Sequence, residues 1–458
     1  MPSSATPGIA APSLASFDGA LLSLWWGLPF AGLLLAIAVV PLVLPKLWHG
    51  HYGKIAGLFV LALLIPFTAT FGTAEAMHNI VHAIVAEYVP FLAMLFALFT
   101  IAGGICLRGT LAGTPAVNTA LIALGAALAS IMGTTGASML LIRPLLTANE
   151  TRAHRVHAVV FFILLVGNVG GALSPLGDPP LFIGFLRGVD FFWTTRALAL
   201  PTLFISVALL AAFYALDTLL YRREGRHPSP PGRTALSLEG LPNFVLLAAV
   251  IGAVLMSGLW DSRIAFDVAG TKISLEDAAR SALLVAFALV SLWLTPSEVR
   301  AHNQFHWAPI VEVAKLFAAI FITIFPVLAM LEAGRDGPLA AIFNLVSDGT
   351  GDRSDVRVFW LTGALSALLD NAPTYLVFFN LAGGNAEVLM REHARSLAAL
   401  SMGAVYFGAL TYIGNAPNFM IKAIAEDRGV AMPSFFGYLV WASIALVPLL
   451  AIVAAIWV

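Results

Sequence analysis

Charged side chains are scarce in this chain. They make up 11% of its 458 residues, whereas hydrophobic residues make up 60% and the mean hydropathy is +0.91. A soluble protein carries about a quarter of its residues as charged side chains, so the composition excludes a soluble globular fold. It predicts an all-α polytopic membrane protein that is embedded in a lipid bilayer.

Cysteine is almost absent, and neither sign of charge is in excess. Cys106 is the only cysteine, which excludes an intramolecular disulfide and a cysteine metal cluster. The net charge is −1. A nucleic-acid partner would call for a basic patch on the protein, so we expect no nucleic acid to bind.

The first twenty residues contain no Lys or Arg. A secretory signal begins with a positively charged segment and ends at a small-residue cleavage site. We therefore interpret residues 1–20 as an N-terminal tail, and the apolar run that follows as the first membrane span.

Apolar windows of spanning length occur about six times on each side of one polar stretch. They define a first transmembrane half at residues 21–220 and a second at residues 240–458. The polar stretch at 221–239 contains Arg222, Arg223, Arg226, His227 and Arg233. The positive-inside rule predicts that this basic linker is cytoplasmic.

In each half, the fourth and fifth apolar blocks are too long, or too interrupted by Gly and Pro, for one plain span. In the first half these blocks predict a hairpin near 133–149 and a broken helix near 167–187. In the second half they predict a hairpin near 368–385 and a broken helix near 411–426. Corresponding interruptions in two halves are typical of transporters that are built from repeats.

Polar motifs recur in the same order in both halves. Each third block opens on an acid, Glu87 or Glu312. The hairpin segments come next: Gly133-Thr134-Thr135-Gly136-Ala137-Ser138 in the first half and Asp370-Asn371-Ala372-Pro373-Thr374 in the second. The helix breaks follow the hairpins. The first-half break is Gly167-Asn168-Val169-Gly170-Gly171 running to Ser174-Pro175-Leu176-Gly177-Asp178-Pro179-Pro180, and the second-half break is Gly414-Asn415-Ala416-Pro417-Asn418. Such breaks expose the carbonyls and half-helix ends that coordinate ions. The alternative interpretation is that the glycines only let helices pack closely.

Two aspartates lie where a membrane protein has no structural need for an acid. Asp370 interrupts an apolar run of spanning length, and a lone carboxylate in hydrocarbon costs several kcal/mol unless it faces water, a partner or an ion. Asp178 lies between Gly177 and Pro179, where no regular helix can continue. Asp178 is therefore either an ion-binding residue or a capping aspartate near the membrane surface.

A carboxylate in a partly dry cavity can hold a proton and release it when a cation competes for the same oxygens. Neutral oxygens that suit a hard cation such as sodium or lithium are supplied by Asn371, Thr374, Asn415 and Asn418. Glu312 and Lys315 are three residues apart on one helical face. They form either a structural ion pair or part of the transport path.

Two of these segments carry a family resemblance. Leu-Leu-Asp-Asn-Ala-Pro-Thr at 368–374 and Gly-Asn-Val-Gly-Gly-Ala-Leu-Ser-Pro-Leu-Gly-Asp-Pro-Pro at 167–180 resemble the ion transporter superfamily. Within it, the chain is similar to NhaD-type sodium/proton antiporters and to the related arsenite and citrate permeases. The resemblance implies two inverted repeats, each with a re-entrant hairpin and a discontinuous helix, and a homodimer. It also implies a multi-pass protein of the inner (plasma) membrane of a bacterium-like cell.

The resemblance also implies a site. It places ion and proton binding at the second hairpin and at the helix breaks, on Asp370, Asn371, Thr374, Asn168, Asp178 and Asn415. A sodium ion is expected at Asp370, Asn371 and Asn415. The first hairpin departs from the antiporter pattern, because Gly-Thr-Thr-Gly-Ala-Ser contains no Asp-Asn pair. This departure leaves more of the ion binding to Asp370.

The leading hypothesis is secondary antiport of sodium or lithium against protons, with no cofactor besides the transported ions. The alternative is a sodium- or proton-coupled carrier of an organic anion, such as citrate or a dicarboxylate, or of an oxyanion such as arsenite. Hydroxyl groups, half-helix N-termini and a fixed cation would hold that anion. Candidate residues for the anion site are Thr134, Thr135, Ser138 and Arg143, with Glu87, Glu312 and Lys315 in supporting positions.

An enzyme remains the third hypothesis. Two intramembrane aspartates could form an aspartyl protease dyad, in which two carboxyl groups share a proton. The duplicated Gly-Asn breaks have no purpose in such an enzyme. We therefore expect a transporter and not an enzyme.

Overall fold

The computed structural model describes residues 18–225, 235–347 and 353–458. Most of the predicted tail at 1–20 and the middle of the predicted linker at 221–239 lie outside the described residues. So do three of the linker's basic residues, Arg226, His227 and Arg233.

Helices make up nearly all of the regular secondary structure in the described residues. The helices of the first half are α1 (Leu28–Val43), α2 (Pro45–Phe71), α3 (Thr73–Val81), α4 (Val89–Ala102), α5 (Pro115–Met132), α6 (Thr134–Ala148), α7 (Val156–Leu165), α8 (Pro179–Leu186) and α9 (Phe191–Glu224). Those of the second half are α10 (Pro242–Leu259), α11 (Leu275–Leu294), α12 (Ser297–His302), α13 (Ala308–Glu332), α14 (Ala340–Val346), α15 (Asp355–Leu368), α16 (Asn371–Leu381), α17 (Ala386–Arg391), α18 (Ala394–Phe407), α19 (Ala416–Asp427) and α20 (Phe435–Trp457). Two short antiparallel strand pairs join neighbouring helices, β1 (Cys106–Arg108) with β2 (Ser237–Glu239) and β3 (Ala265–Val268) with β4 (Thr271–Ser274).

Ten helical segments of the described residues are long and apolar enough to cross a membrane. They contain α1, α2, α5, α9, α10, α11, α13, α20 and the composite segments Thr73–Ala102 and Val156–Leu173. The prediction of an all-α polytopic membrane protein is confirmed.

Helices α5 and α6 form a hairpin that turns at Gly133. Asn118 near the start of α5 and Asn149 just after α6 exchange two side-chain hydrogen bonds of 2.9 and 2.8 Å. These bonds hold the two open ends of the hairpin together, so Gly133 is its tip. The predicted segment near 133–149 is therefore the second arm, and α5 is the first. Helix α5 starts where it does because Pro115 occupies its first turn and Thr114 caps it through Val117 N.

The hairpin tip depends on a backbone conformation that only glycine adopts readily. Gly133 has φ 80° and ψ 150°, a region that costs other residues about 2 kcal/mol. The nearest atom to an added Cβ is 3.5 Å away, so the cost of a side chain comes from the backbone alone. We expect Gly133→Ala to lower the thermal unfolding midpoint in detergent.

A matched control for Gly133→Ala is Gly50→Ala. Gly50 lies within α2 and has no atom within 4 Å of an added Cβ. Alanine there should hold or raise the midpoint, because it has the higher helix propensity. Equal midpoints for the two variants would show that the tip does not require a glycine.

The second hairpin pairs α15 with α16 and turns at Leu369 and Asp370. Asp370 is the N-cap of α16 and accepts a hydrogen bond from Ala372 N at 3.0 Å. Pro373 lies in the first turn of α16, where a backbone N–H has no partner within the helix. The proline therefore marks the start of a helix rather than a break inside one.

The two discontinuous helices are constructed alike. After α7 the chain passes through a 3-10 turn, Val169–Leu173, before α8 begins, and after α18 it passes through Gly408–Leu410 before α19 begins. The same sequence separation relates Ser174 to Thr411, Gly177 to Gly414 and Asp178 to Asn415. Ser174 Oγ donates to Ser130 O in the first hairpin, and Thr411 Oγ1 donates to Ala367 O in the second. The structural counterpart of Gly414-Asn415 is therefore Gly177-Asp178 and not Gly167-Asn168.

The two discontinuous helices run in opposite directions. Arg155 beside the start of α7 donates from Nη2 to Gly429 O, beyond the end of α19, at 3.0 Å. At the opposite end, Asp190 N follows α8 and lies 3.2 Å from the sulfur of Met390, which precedes α18. Arg152 Nε also binds Glu224, the last residue of α9, at 3.1 Å. We call the end that contains Arg152 and Glu224 the linker side.

Candidate functional site

Four helix N-termini meet in the interior of the protein. Helix α6 begins at Thr134, α8 at Pro179, α16 at Asn371 and α19 at Ala416. Two of these helices belong to the hairpins and two to the discontinuous helices, and they line one inner cavity of about 100 Å³. Each N-terminus carries a partial positive charge and unpaired N–H groups, so the cavity combines four helix ends of the same polarity.

Asp178 lies at the centre of this inner cavity and is 1% exposed. Its Oδ2 accepts a hydrogen bond from Asn371 Nδ2 at 2.7 Å. Its Oδ1 accepts from Asn415 Nδ2 at 2.9 Å and from Thr134 Oγ1 at 3.4 Å. One carboxylate therefore receives a donor from each of the other three helix N-termini.

Buried asparagines join the two helix breaks to each other. Asn168 Nδ2 donates to Asn418 Oδ1 at 2.7 Å, and Asn415 Nδ2 reaches Asn168 Oδ1 at 3.2 Å. Asn418 Nδ2 donates to the carbonyls of Gly408 and Thr411 at 2.7 and 2.9 Å. The amides thus satisfy carbonyls that the breaks leave without helical partners, as irregular backbone at membrane depth requires.

Asp370 lies at the border between the inner cavity and a larger one. It is half-buried and lines both cavities. Among the described residues, neither Asp370 nor Asp178 forms a salt bridge with Lys, Arg or His. The two carboxylates are therefore held by neutral donors, and no cationic side chain in the described part of the chain pairs with them.

Asn371 contributes an acceptor as well as a donor. Its side chain is fully buried, and Oδ1 accepts no hydrogen bond from the described residues. Ser138 Oγ, one turn further along α6, is also buried without a partner. Buried polar atoms are nearly always satisfied. Because Asn371 also donates to Asp178, its free Oδ1 marks the surroundings of Asp178 as a place where a cation or a donor can bind.

The outer cavity has a volume of about 380 Å³. It starts at Asp370 and Asn415 and extends to Arg143 and Asp427, which lie near the ends of α6 and α19 on the linker side. The inner site is thereby connected toward the linker side.

The remaining predicted site residues have different surroundings. Thr135 lines the inner cavity, and Thr374 Oγ1 donates to Asp370 O at 2.8 Å. Glu312 lines the outer cavity and accepts from Trp48 Nε1 at 3.0 Å, whereas Lys315 lies over the ring of Tyr52. These two side chains therefore contact different partners.

Glu87 lies away from both cavities. It is paired with Arg187 at 2.8 Å, and Arg187 directly follows α8 at the end opposite the linker side. The structure thus gives Glu87 a partner that the sequence motifs did not indicate.

A model of the family described as "Putative citrate transport" matches residues 19–458. The chain belongs to this family. No curated protein matches it. The membership agrees with the predicted kinship to the ion transporter superfamily and its citrate permeases. Together with the ten spans, it identifies the protein as a multi-pass membrane transporter.

In this citrate-transport family protein, the site can attract both signs of charge. The four helix N-termini favour an anion. The carboxylates of Asp178 and Asp370, with neutral oxygens beside them, favour a hard cation or a proton. The chemistry of the site therefore suits the joint binding of an anion and a cation.

Sequence reasoning missed a buried polar cluster around Asp217. Asp217 in α9 is fully buried, and it binds Arg152 at 2.6 Å, His157 at 2.9 Å and Asn118 at 2.8 Å. A single acid within an apolar block was the available signal, the same one that singled out Asp370. The cluster lies on the linker side, where it joins the base of the first hairpin to α7 and α9.

Proposed function

We propose that the protein is a secondary transporter that carries a citrate-type organic anion together with a cation, either sodium or a proton, by alternating access. The observation that carries this proposal is the meeting of four helix N-termini around Asp178 and Asp370, two carboxylates that form no salt bridge with any Lys, Arg or His of the described ranges. Membership in a family described by citrate transport supports the choice of anion.

The same geometry explains why the anion and the cation would travel together. Without a cation, the carboxylates of Asp178 and Asp370 repel a second anion. Once a sodium ion or a proton neutralises them, the partial charges of the four helix ends dominate the potential in the cavity. The anion therefore binds well only after the cation.

Ligands for the cation are available around Asp178. Its carboxylate, the Oδ1 atom of Asn371 and the hydroxyl of Thr134 are oxygen ligands of the kind that hard cations prefer. Residues from both hairpins and from the first helix break would thus share the ion.

A second candidate is the exchange of sodium or lithium against protons. It is supported by the same carboxylates, which a proton and a metal ion could occupy in turn. It gives the four helix N-termini no anion to hold besides the carboxylate of Asp178, and for this reason we place it second.

The proposal is tested with purified protein in proteoliposomes. Labelled citrate, a dicarboxylate and arsenite are offered under an inward sodium gradient, an inward proton gradient and no gradient, while internal pH is followed by a dye. Citrate uptake that a cation gradient accelerates is the expected result. Collapse of a pH gradient by sodium or lithium, with no anion uptake under any condition, would replace the proposal by cation/proton antiport.

The variant Asp370→Asn probes the coupling. Asparagine caps helices as well as aspartate, so the hydrogen bond to Ala372 N and the start of α16 should persist. We expect the half-saturating concentration of the coupling cation to rise roughly tenfold, which corresponds to about 1.4 kcal/mol, because one of two carboxylates loses its charge. The measurement is the citrate uptake rate as a function of sodium concentration and of pH.

The matched control for this variant is Asp190→Asn. Asp190 is an exposed N-cap at the start of α9 and lines neither cavity. Asp190→Asn removes the same charge as Asp370→Asn, and both aspartates cap a helix. An equal rise in the half-saturating cation concentration in both variants would show that Asp370 has no specific part in coupling.

A further inference from the structure

The outer cavity contains a guanidinium that the coupling scheme leaves without a role. Arg143 lines this cavity, and among the described residues that line it Arg143 is the sole Lys or Arg. An ionisable side chain within a membrane segment is costly unless it faces a cavity or a partner. Arg143 therefore calls for an explanation.

Arg143 has no carboxylate partner among the described residues. Its Nε donates to Gln304 Oε1 at 3.2 Å, while its Nη1 is buried without a hydrogen-bond partner. The cavity does contain carboxylates, but Glu312 accepts from Trp48 and neither Glu312 nor Asp427 forms a salt bridge with Arg143. The charge of this guanidinium remains available to a ligand.

The residue that orients Arg143 is held in an unusual conformation. Gln304 has φ 49°, a left-handed conformation that costs a residue other than glycine about 1 kcal/mol. Such strain concentrates at sites where a side chain must point in one direction. A neutral amide orients the guanidinium here without neutralising it.

A second cation lies near Arg143. Arg428, just after the end of α19, is within electrostatic range of the guanidinium. Like charges that are close together repel each other, and an anion placed beside them relieves that repulsion. Both arginines are on the linker side, where the outer cavity leads to the inner site.

We propose that Arg143, oriented by Gln304, forms an entry subsite that binds a carboxylate group of the anion on the linker side of the outer cavity. This inference rests on the proposed function. Arg143 follows Thr134 on α6 at a distance of roughly 14 Å along the helix axis, too far to touch an anion at the inner cavity. It captures the anion before the anion reaches the four helix ends.

A guanidinium binds a carboxylate in a bidentate manner, and it attracts anions over a distance that salt shortens. Arg143→Gln should therefore raise KM for citrate offered from the linker side at least tenfold, with kcat within twofold of the wild type. KM should also lose most of its dependence on ionic strength. From the opposite side of the membrane, KM should stay unchanged.

The experiment uses full-length protein in vesicles sorted by orientation, with labelled citrate and with a monocarboxylate of similar size as competitor. The matched control is Arg155→Gln, which removes the same charge on the same side. Arg155 is half-buried, lines neither cavity and donates to Gly429 O. Arg143→Lys keeps a point charge without the bidentate geometry, so it should restore part of the affinity and also serve if the glutamine variant does not fold.

Four outcomes would overturn the inference. An unchanged linker-side KM in Arg143→Gln would show that this residue binds no anion. Equal shifts on both sides of the membrane, or a fall in kcat with a lowered unfolding midpoint in both Arg143 variants, would indicate a structural role. Wild-type vesicles that take up no citrate would overturn the proposed function and this inference with it, so the two failures are distinguishable.

Discussion

Replacing Asp178 with asparagine is expected to reduce cation-coupled citrate uptake at least 100-fold. Asp178 provides the carboxylate at the point where four helix N-termini meet, and all three of its hydrogen-bond partners donate to it. An amide of the same shape carries no charge, so the cation loses its central ligand. A 100-fold loss corresponds to about 2.7 kcal/mol, which is modest for a buried charge–ion contact.

The amide would also disturb the hydrogen bonds around it. One of its two terminal atoms is an NH₂ group, and in either orientation this group faces a donor, from Asn371 or from Asn415. Facing donors cost about 1 to 3 kcal/mol, so the unfolding midpoint should fall as well. Uptake must therefore be measured at equal amounts of folded protein.

A charge swap separates the two effects. In the double variant Asp178→Asn with Asn371→Asp, the carboxylate moves across a hydrogen bond of 2.7 Å and the amide takes its place. The pair can bond again, so stability should recover. Uptake should recover only in part, because the carboxylate is now on the first residue of α16 instead of on the residue that precedes α8. A single Asp178→Asn variant that transports within threefold of the wild type, with the same cation dependence, would contradict the central role of this residue.

The helix breaks could be predicted because their residues are constrained locally. Pro179 and Pro180 after Asp178 permit a helix to start but not to continue through them, and α8 begins at Pro179. Gly133 gave a weaker signal, since no proline lies within ten residues of it. The positive φ of Gly133 separates α5 from α6, but a φ angle cannot be read from the sequence. The sequence therefore did not show that α5 is the first arm of the hairpin.

Contacts between the halves could not be predicted in the same way. Asp178 and Asn371 are neighbours in space but far apart in sequence, and local pattern gives no information about such a pair. The sequence analysis assigned more of the ion binding to Asp370 because the first hairpin contains no acid. In the structure Asp178 accepts from three side chains, whereas Asp370 accepts from one backbone amide as a helix cap.

Replacing Asp217 with alanine is expected to give a large loss of stability although the residue lies outside the site. Asp217 is fully buried near the end of α9 and joins Arg152, His157 and Asn118. Removing one partner from a buried charge pair costs about 3 to 5 kcal/mol, because the remaining charge stays buried. Glu224 still binds Arg152 Nε at 3.1 Å, so we expect about 3 kcal/mol, read as a lower unfolding midpoint in detergent and a lower yield of folded protein.

Two variants test whether this loss comes from the buried charge. Asp190→Ala removes an exposed acid that caps the same helix, and the loss of a cap costs about 1 kcal/mol. Asp217→Asn keeps one acceptor oxygen without the charge. Its unfolding midpoint should therefore lie between those of Asp190→Ala and Asp217→Ala. Because Asn118 and Asn149 join the Asp217 cluster to the base of the α5–α6 hairpin, a loosened cluster should also weaken the hold of Thr134 on Asp178. If Asp217→Ala unfolded at the midpoint of Asp190→Ala and kept full uptake, the cluster would contribute no more to the fold than a surface acid.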